Sequence, residues 1–253
     1  MSQRDILRIH LKALSMPTAV SVVDQVLEAG ERENWSLETV IREILEREIE
    51  GRRQHRVERL AKTAALPAGK TLASLDTKRL PLRIQRQLPQ LCTGEFADRA
   101  DNILIFGLPG RGKTHVAAAV GHELVSRGRS VLFVPTFRML DRLLRAKRDL
   151  ELERELRRLD RFEVLILDDI GYVQQTREEV EVLFTLLSER YERRSVIITS
   201  NLVFSEWDRI FKDPMTTVAA IDRVVHHSII LEFGQDMTSV RAEHAAKRNK
   251  EAA

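Results

Sequence analysis

Cysteine and aromatic residues are scarce in this chain: of its 253 residues one is a cysteine, Cys92, and 5 % are aromatic. A single cysteine excludes an internal disulfide and a cysteine-rich zinc site, and it fits a reducing cytoplasm. The adjacent His226 and His227 have no companion ligands at metal-binding spacing in the sequence, so we interpret them as structural. No apolar run approaches the roughly 20 residues needed to cross a bilayer, and the amino terminus lacks a secretory apolar segment. We therefore expect a cytoplasmic protein without a membrane segment.

Net charge is also low, at +3, but it is distributed unevenly along the chain. The stretch from Arg52 to Arg86, here called the basic block, holds ten lysines and arginines against two acidic residues, a local net charge of +8. Such a block favours an anionic partner. A solvent-exposed helix face near a linker has the same composition, so composition alone leaves both interpretations open.

The amino-terminal segment is predicted to be helical. Thr18 is a candidate N-cap for an amphipathic helix, and Gly30 is placed to end it. Ser36 is a candidate N-cap for a second helix, which runs into the first part of the basic block and stops before Pro67 because proline disfavours a helical residue before it. We expect a small all-helical domain at residues 1–68, followed by a second domain at residues 69–253.

In the second domain, short runs rich in Val, Ile and Leu alternate with helical stretches. The runs lack the alternation of half-exposed strands, and parallel strands covered by helices on both faces have this composition. We therefore predict an α/β domain with a parallel sheet. Its predicted strands are Asn102–Phe106, Val131–Val134, Val164–Leu167, Ser195–Thr199 and Ile229–Phe233.

The segment GLPGRGKT, from Gly107 to Thr114, matches the phosphate-binding pattern G-x-x-x-x-G-K-[ST] at every defined position. It lies between a predicted strand and a predicted helix, as this pattern requires. Its glycines let backbone N–H groups point at phosphate oxygens, and the helix amino terminus favours the anion. Lys113 supplies positive charge to the β- and γ-phosphates, and the Thr114 hydroxyl is a candidate Mg²⁺ ligand. The predicted ATP contacts are Gly107, Leu108, Pro109, Gly110, Arg111, Gly112, Lys113 and Thr114.

Two acidic residues, Asp168 and Asp169, follow the third predicted strand in the run LILDDIG. The carboxyl ends of parallel strands are where α/β domains place their ligand chemistry. Asp168 is a candidate Mg²⁺ ligand, and Asp169 is a candidate general base for the attacking water. Asn201, after the fourth strand, can hold that water through hydrogen bonds. Together with Lys113 these residues predict ATP hydrolysis, although a purely structural turn is the simpler alternative for each.

With these motifs in place, the chain resembles the IstB/DnaC group of AAA+ ATPases and is most similar to the IstB-type transposition helpers. The similarity extends along the whole chain in a fixed order. It includes the end of the basic helix, a Thr-Leu-x-x-(Leu/Phe)-Asp segment at Thr71–Asp76, the phosphate loop with the following His115, and both acidic motifs. The quoted segments are RLAKTAALP, TLASLD, DNILIFGLPGRGKTHVA, LILDDIGY, IITSN, AAIDRVVHHSIILEF and MTSVR.

This resemblance implies an AAA+ core with a five-stranded parallel sheet in the order 5-1-4-3-2. It implies a site shared between subunits of a homo-oligomer, with Arg223 reaching the γ-phosphate of a neighbouring subunit. It also implies nucleotide contacts from His115 and, in the same subunit, from Arg241. Because the sequence ends shortly after Arg241, we expect no carboxyl-terminal helical lid.

The segment from Arg138 to Arg161 is also charged, with nine basic and six acidic residues. In the helicase-loader branch of the resembled group an extra helix here meets DNA, whereas a packed helical hairpin is the alternative. Basic residues in this segment and in the basic block contact phosphates rather than read bases in this interpretation. The candidate DNA contacts are Arg52, Arg53, Arg56, Arg59, Lys62, Arg145, Lys147 and Arg148.

The resulting hypothesis is an ATP-dependent regulator of transposition, with ATP and Mg²⁺ as cofactors. ATP assembles it on duplex DNA, and the assembled form recruits or stimulates a partner transposase. A replicative helicase loader of the DnaC type shares the same core and is the first alternative. An ATPase switch without a nucleic-acid role is the second, and for that protein the basic block is ordinary surface.

Overall fold

The computed structural model describes residues 1–171, 176–202 and 224–234 of the chain. Contacts divide the chain into a first unit, Met1–Arg59, and a second unit that begins at Leu60. The division lies inside a single long helix and ahead of the sequence-based boundary at residue 68, so the domain assignment remains a prediction. None of the helices in the described ranges combines the length and the apolar composition needed to cross a membrane.

The first unit consists of α1 (Gln3–Ala13), α2 (Pro17–Glu33) and most of α3 (Leu37–Ala64). Apolar side chains at helical spacing on these helices form its core, with Leu11, Val23, Val26 and Ile44 buried. Ser36 caps α3 as predicted, because its Oγ accepts a hydrogen bond from the Thr39 N–H at 3.3 Å. A helical amino-terminal segment with a continuous second helix is therefore confirmed.

Two details of α2 differ from the sequence-based prediction. The helix begins at Pro17 without a side-chain cap, and it ends at Glu33 with Asn34 in the left-handed conformation. Gly30 therefore lies inside the helix, where a Cβ would come within 2.8 Å of Val40 Cγ2. The glycine allows close packing of α3 and does not end the helix.

A backbone amide in the first turn of α2 is satisfied by a side chain of another helix. The carboxylate of Glu48 on α3 is buried, and its Oε2 accepts a hydrogen bond from Ala19 N–H at 2.8 Å. Arg52 donates to Glu48 Oε1 at 2.7 Å and to the Ser15 carbonyl at 2.7 Å. Burial disfavours the charged carboxylate, but the hydrogen bonds from Arg52 and Ala19 outweigh it and lower the pKa of Glu48. Arg52 is therefore part of the scaffold of the first unit.

The second unit contains a parallel sheet whose strands lie in the order β2-β3-β4-β1-β5. This confirms both the fold class and the strand order 5-1-4-3-2. The strands are β1 (Asn102–Phe106), β2 (Val131–Pro135), β3 (Val164–Asp168), β4 (Ser195–Ser200) and β5 (Ser228–Glu232). The inner strands β1 and β4 are fully buried, which explains the continuous run of apolar residues within each of them.

Helices cover the sheet and complete the core. A short 3₁₀ turn at Thr77–Arg79 precedes α4 (Leu82–Thr93) and α5 (Glu95–Asp98), and the later helices are α6 (Lys113–Ser126), α7 (Thr136–Arg148), α8 (Leu152–Leu159) and α9 (Arg177–Arg190). Cys92 on α4 is buried, which raises the pKa of its thiol to about 11. The thiol is therefore protonated and unreactive near neutral pH.

Candidate nucleotide-binding site

The predicted phosphate loop connects the end of β1 to the start of α6. Gly110 and Gly112 have φ angles of 80° and 101°, in the left-handed region that glycine adopts without steric cost. Gly112 is the N-cap of α6, so the first N–H groups of that helix face the loop. The loop and the positive end of the helix dipole together form an anion site.

Gly107 opens this loop at a point where two strands meet. Its N–H donates to the Ser200 carbonyl at 3.2 Å, and the Phe233 N–H donates to the Phe106 carbonyl at 2.9 Å. A Cβ on Gly107 would lie 2.6 Å from Phe233 Cβ, so only glycine fits there without displacement. The loop is thus built against the ends of β4 and β5.

Lys113 is the first residue of α6, and only 8 % of it is exposed. Its Nζ donates to the Gly107 carbonyl at 2.6 Å and to the Leu108 carbonyl at 3.0 Å. The ammonium group therefore lies inside the curve of the loop, where a bound polyphosphate would meet it.

The acidic motif at the end of β3 is joined to β4 by Thr199. The Thr199 hydroxyl donates to Asp168 Oδ1 at 2.7 Å and accepts from the Asp169 N–H at 2.8 Å. The Thr199 carbonyl also accepts from the Ile170 N–H at 3.0 Å. One threonine thereby fixes the rotamer of Asp168 and the backbone of Asp169. From the sequence, Thr199 was expected only to end the fourth strand, and no separate role was predicted for it.

Asp169 has a φ of 63°, which is uncommon for a residue other than glycine but tolerated by aspartate and asparagine. Asn201 lies beyond the end of β4 and approaches the acidic loop closely, since a Cβ on Gly171 would come within 2.6 Å of Asn201 Oδ1. That oxygen is buried without a hydrogen-bond partner in the described residues. A buried amide oxygen of this kind is available to accept a hydrogen bond from water.

His115, in the first turn of α6, contacts the segment that precedes the sheet. Its Nε2 lies 3.1 Å from Ser74 Oγ and 3.1 Å from the Thr71 carbonyl. The imidazole is thus engaged by the Thr71–Asp76 segment, whose own turn is closed by Ser74. His115 was predicted to contact nucleotide, and that contact remains a prediction alongside this structural one.

Oxygen donors suited to Mg²⁺ are present at the predicted positions. Mg²⁺ prefers hard oxygen ligands, usually one or two from protein together with phosphate and water. The Thr114 hydroxyl stands at the start of α6, and the Asp168 carboxylate retains Oδ2 after Oδ1 has accepted the Thr199 hydrogen bond. The donor set fits the ion. Arg223 and Arg241, predicted to contact phosphate, lie outside the described residues, as does the segment predicted to lack a lid.

Comparison with known proteins assigns the chain to a protein family. The model of the IstB-like ATP binding protein family matches residues 9–248. The chain belongs to this family. An insertion sequence ATP-binding protein of Sinorhizobium fredii is 41 % identical over 96 % of this chain and 82 % of its own length. The IS21 insertion sequence ATP-binding protein of Pseudomonas aeruginosa is 37 % identical, over 90 % and 86 %. The predicted resemblance is thereby confirmed, and the IstB-like chain is an ATPase.

Solved structures support the fold of this IstB-like ATPase. The structure of DnaI has a TM-score of 0.55 at 20 % identity and covers 65 % of this chain and 90 % of its own. DnaA from Aquifex aeolicus bound to AMPPCP has a TM-score of 0.55 at 19 % identity, covering 74 % and 56 %. At these identities the likeness establishes the AAA+ fold alone.

The candidate DNA contacts on α3 differ in how they are held. Arg52 is bonded to Glu48 and Ser15, as described above, and Arg53 lies 3.7 Å from Glu50. Among the described residues, Arg56 and Lys62 make no hydrogen bond or ion pair, and both are exposed. Arg56 and Lys62 can therefore contact phosphates without breaking an interaction with any of the described residues. Arg59 is exposed on the same helix.

The segment between β2 and β3 forms a pair of helices, α7 and α8, whose apolar side is packed: Leu140, Leu143 and Leu159 are buried. Several of its charges are neutralised within the protein. Arg145 pairs with Asp141 at 2.9 Å and Lys147 with Glu181 at 2.8 Å, whereas Arg148 is exposed. This pairing weakens the case for DNA contacts from α7, which remain a prediction.

The bridging role of Thr199 gives a testable expectation. Thr199→Val keeps the volume and removes the hydroxyl, so Asp168 and the Asp169 amide each lose a partner. Hydrogen bonds to charged groups contribute about 1.5–3 kcal/mol, so we expect kcat for ATP hydrolysis to fall roughly 10- to 100-fold. Steady-state ATPase kinetics and nucleotide titration measure the effect, and ATP affinity should change much less than kcat.

Thr199→Ser is the matched control, since it restores the hydroxyl and should recover most of the activity. A valine variant with full kcat, or a serine variant as impaired as valine, would show that the hydroxyl does not position the aspartates. Thermal unfolding of both variants separates this positioning effect from loss of fold.

Proposed function

We propose that this ATPase hydrolyses Mg²⁺-ATP at a subunit interface, assembles on duplex DNA in its ATP state, and there recruits or stimulates a partner transposase. The observation that carries the proposal is that Lys113, Asp168, Asp169 and Asn201 all follow or end three adjacent strands, β1, β3 and β4, at the carboxyl edge of one parallel sheet. The chain that carries them is similar along its length to insertion sequence ATP-binding proteins. The placement of these four residues supports ATP hydrolysis, and the similarity to insertion sequence proteins supports a role in transposition.

In the proposed reaction, the loop amides and Lys113 bind the phosphates and hold the γ-phosphate beside the acidic motif. Thr114 and Asp168 hold Mg²⁺, which neutralises charge on the phosphate oxygens. Asp169 accepts a proton from the attacking water, and the Asn201 amide fixes the position of that water. Arg223 of a neighbouring subunit stabilises the charge of the transition state, which makes hydrolysis dependent on assembly.

The DNA surface in this proposal is formed by exposed basic residues of α3. Arg56 and Lys62 are its central contacts, because both are exposed and make no ion pair within the described residues. The contacts are to phosphates, so they position the protein without selecting a sequence. Arg52 is excluded as a test residue, since its loss would leave the buried Glu48 carboxylate without its cationic partner and destabilise the first unit.

The test is binding of random-sequence duplex DNA with ATP, ADP or no nucleotide, as a function of salt. We expect Arg56→Glu/Lys62→Glu to lower affinity and to reduce the slope of log K against log[salt] by about 2. Arg32→Glu/Arg42→Glu changes the net charge equally at exposed positions outside the basic block and should leave the slope unchanged. Equal losses in both variants would show that only overall charge matters.

Nucleotide dependence separates the proposal from its alternatives. Size measurement should show assembly on DNA with ATP and none with Lys113→Ala. DNA binding that depends on neither ATP nor salt concentration would contradict the proposal. Absence of DNA binding at low salt would favour an ATPase switch without a nucleic-acid role. Co-purification with a replicative helicase in place of the transposase would establish the loader function.

A further inference from the structure

The edge of the sheet opposite the phosphate loop carries a cluster that the ATPase site does not use. Glu192, His226 and His227 each present one potential ligand atom, and these three atoms all lie within 4.8 Å of one another. His227 Nε2 is 3.8 Å from Glu192 Oε1, and the two imidazole rings meet edge to face with centroids 4.4 Å apart. Sequence spacing concealed the cluster, because Glu192 is distant from the histidine pair along the chain.

We propose that Glu192, His226 and His227 form a binding site for a divalent transition-metal ion of the zinc type. Two imidazole nitrogens and one carboxylate oxygen are a donor set that zinc accepts, and water would fill the remaining coordination position. The site is distinct from the Thr114 and Asp168 oxygen ligands, which suit Mg²⁺.

The two turns that carry the ligands are already held together by the protein. Glu192 belongs to the turn before β4, and the histidines belong to the turn before β5. Asn102, at the start of the intervening β1, joins them. Its N–H donates to the His227 carbonyl at 2.6 Å, its side-chain amide donates to the Val224 carbonyl at 3.1 Å, and its Oδ1 accepts from the Val196 N–H at 2.9 Å. This buried asparagine limits the reorganisation that metal binding requires.

The hydroxyl group of Tyr191 contacts one of the three proposed ligands, His226. The Tyr191 hydroxyl lies 3.3 Å from His226 Nδ1. Histidines that bind metals usually have their other nitrogen hydrogen-bonded to an oxygen, which fixes the tautomer and the ring orientation. With Nδ1 engaged in this way, Nε2 of His226 is the nitrogen assigned to the metal.

Access to the site is direct. The side chains of His227 and Glu192 are 49 % and 58 % exposed, so an ion can enter without unfolding. Metal binding would add a cross-link between the strands that flank β1, and it would stabilise the folded second unit by mass action.

The experiment is titration of the tag-free, nucleotide-free full-length protein with Zn²⁺, followed by calorimetry and by competition with a chromophoric chelator. We expect one ion per chain and a higher melting temperature with Zn²⁺. His226→Gln, His227→Gln and Glu192→Gln should each weaken binding at least about tenfold, and Tyr191→Phe should weaken it less. Co²⁺ provides a second readout, because tetrahedral coordination produces strong visible absorption that the histidine variants should lose.

His55→Gln is the matched control, since it removes an exposed histidine that belongs to the first unit, and Asp168→Asn controls for zinc bound at the nucleotide site. Both should retain the wild-type affinity. Absence of stoichiometric binding, or binding that survives His226→Gln and His227→Gln, would overturn the proposal and leave an ordinary His227–Glu192 ion pair. Because the assay contains neither ATP nor DNA, its outcome is independent of the proposed function.

Discussion

Lys113→Ala is expected to raise the dissociation constant for ATP about 100-fold or more, which corresponds to about 2.7 kcal/mol. The ammonium group is the mobile positive charge of the loop, and charge-assisted hydrogen bonds of this kind contribute about 1.5–3 kcal/mol each. The same Nζ also bonds the carbonyls of Gly107 and Leu108, so its loss loosens the loop that carries the phosphate-binding amides. Equilibrium titration with a fluorescent ATP analogue measures the effect directly.

Lys78→Ala provides the control for Lys113→Ala, because it removes an exposed lysine from the same unit. Its nucleotide affinity should equal that of the wild type. If Lys113→Ala bound ATP with unchanged affinity while remaining folded, the assignment of Gly107–Thr114 as the phosphate site would be wrong.

Asp169→Asn is expected to separate binding from hydrolysis. A positioned general base contributes about 10²–10⁴-fold to rate, so kcat should fall by that range while ATP affinity changes little. Asparagine is the appropriate replacement, because the φ of 63° at this position is tolerated by asparagine and strained in alanine by roughly 1–2 kcal/mol. Single-turnover hydrolysis and nucleotide titration on the same sample distinguish the two effects.

The Asp169→Asn variant should also remain assembled on DNA with ATP, since hydrolysis is what ends that state in the proposed cycle. Asp149→Asn, at an exposed position after α7, is the control and should hydrolyse ATP normally. Full activity in Asp169→Asn together with an inactive Asp168→Asn would assign the general base to another residue.

The local parts of the fold could be predicted from the sequence. The five strands were found to within one residue at each end because strands buried on both faces contain continuous apolar runs. The phosphate loop was found because its glycines, lysine and threonine lie at fixed spacing within eight residues. The strand order followed from the family resemblance. Periodicity alone does not determine which strands are neighbours.

Contacts between distant residues could not be predicted in the same way. Glu48 caps the Ala19 amide from another helix, a pairing that depends on how α2 and α3 pack. That packing also changes the interpretation of Arg52, which was predicted to contact DNA because it lies in the basic block. A count of charges does not reveal whether a charge already has a partner within the protein.

The candidate catalytic site shows the same division. Asp168, Asp169 and Asn201 were identified because acidic and amide residues at strand ends are typical of such sites. The close approach of Asn201 Oδ1 to Gly171 could not be predicted, since it depends on the relative position of two loops. Glu192 near the histidine pair was missed for the same reason.

Thr199 also has a consequence for folding. Strands β3 and β4 align Leu167 with Ile198, which brings Asp168 beside Thr199. A shift of one residue in this pairing would turn the hydroxyl to the opposite face of the sheet. The misaligned chain would then bury a hydroxyl without a partner, at a cost of about 1–3 kcal/mol. The hydrogen bond that orients the Asp168 carboxylate therefore also discriminates against incorrect pairing of β3 with β4, so one hydroxyl contributes both to the candidate site and to accurate folding of the sheet.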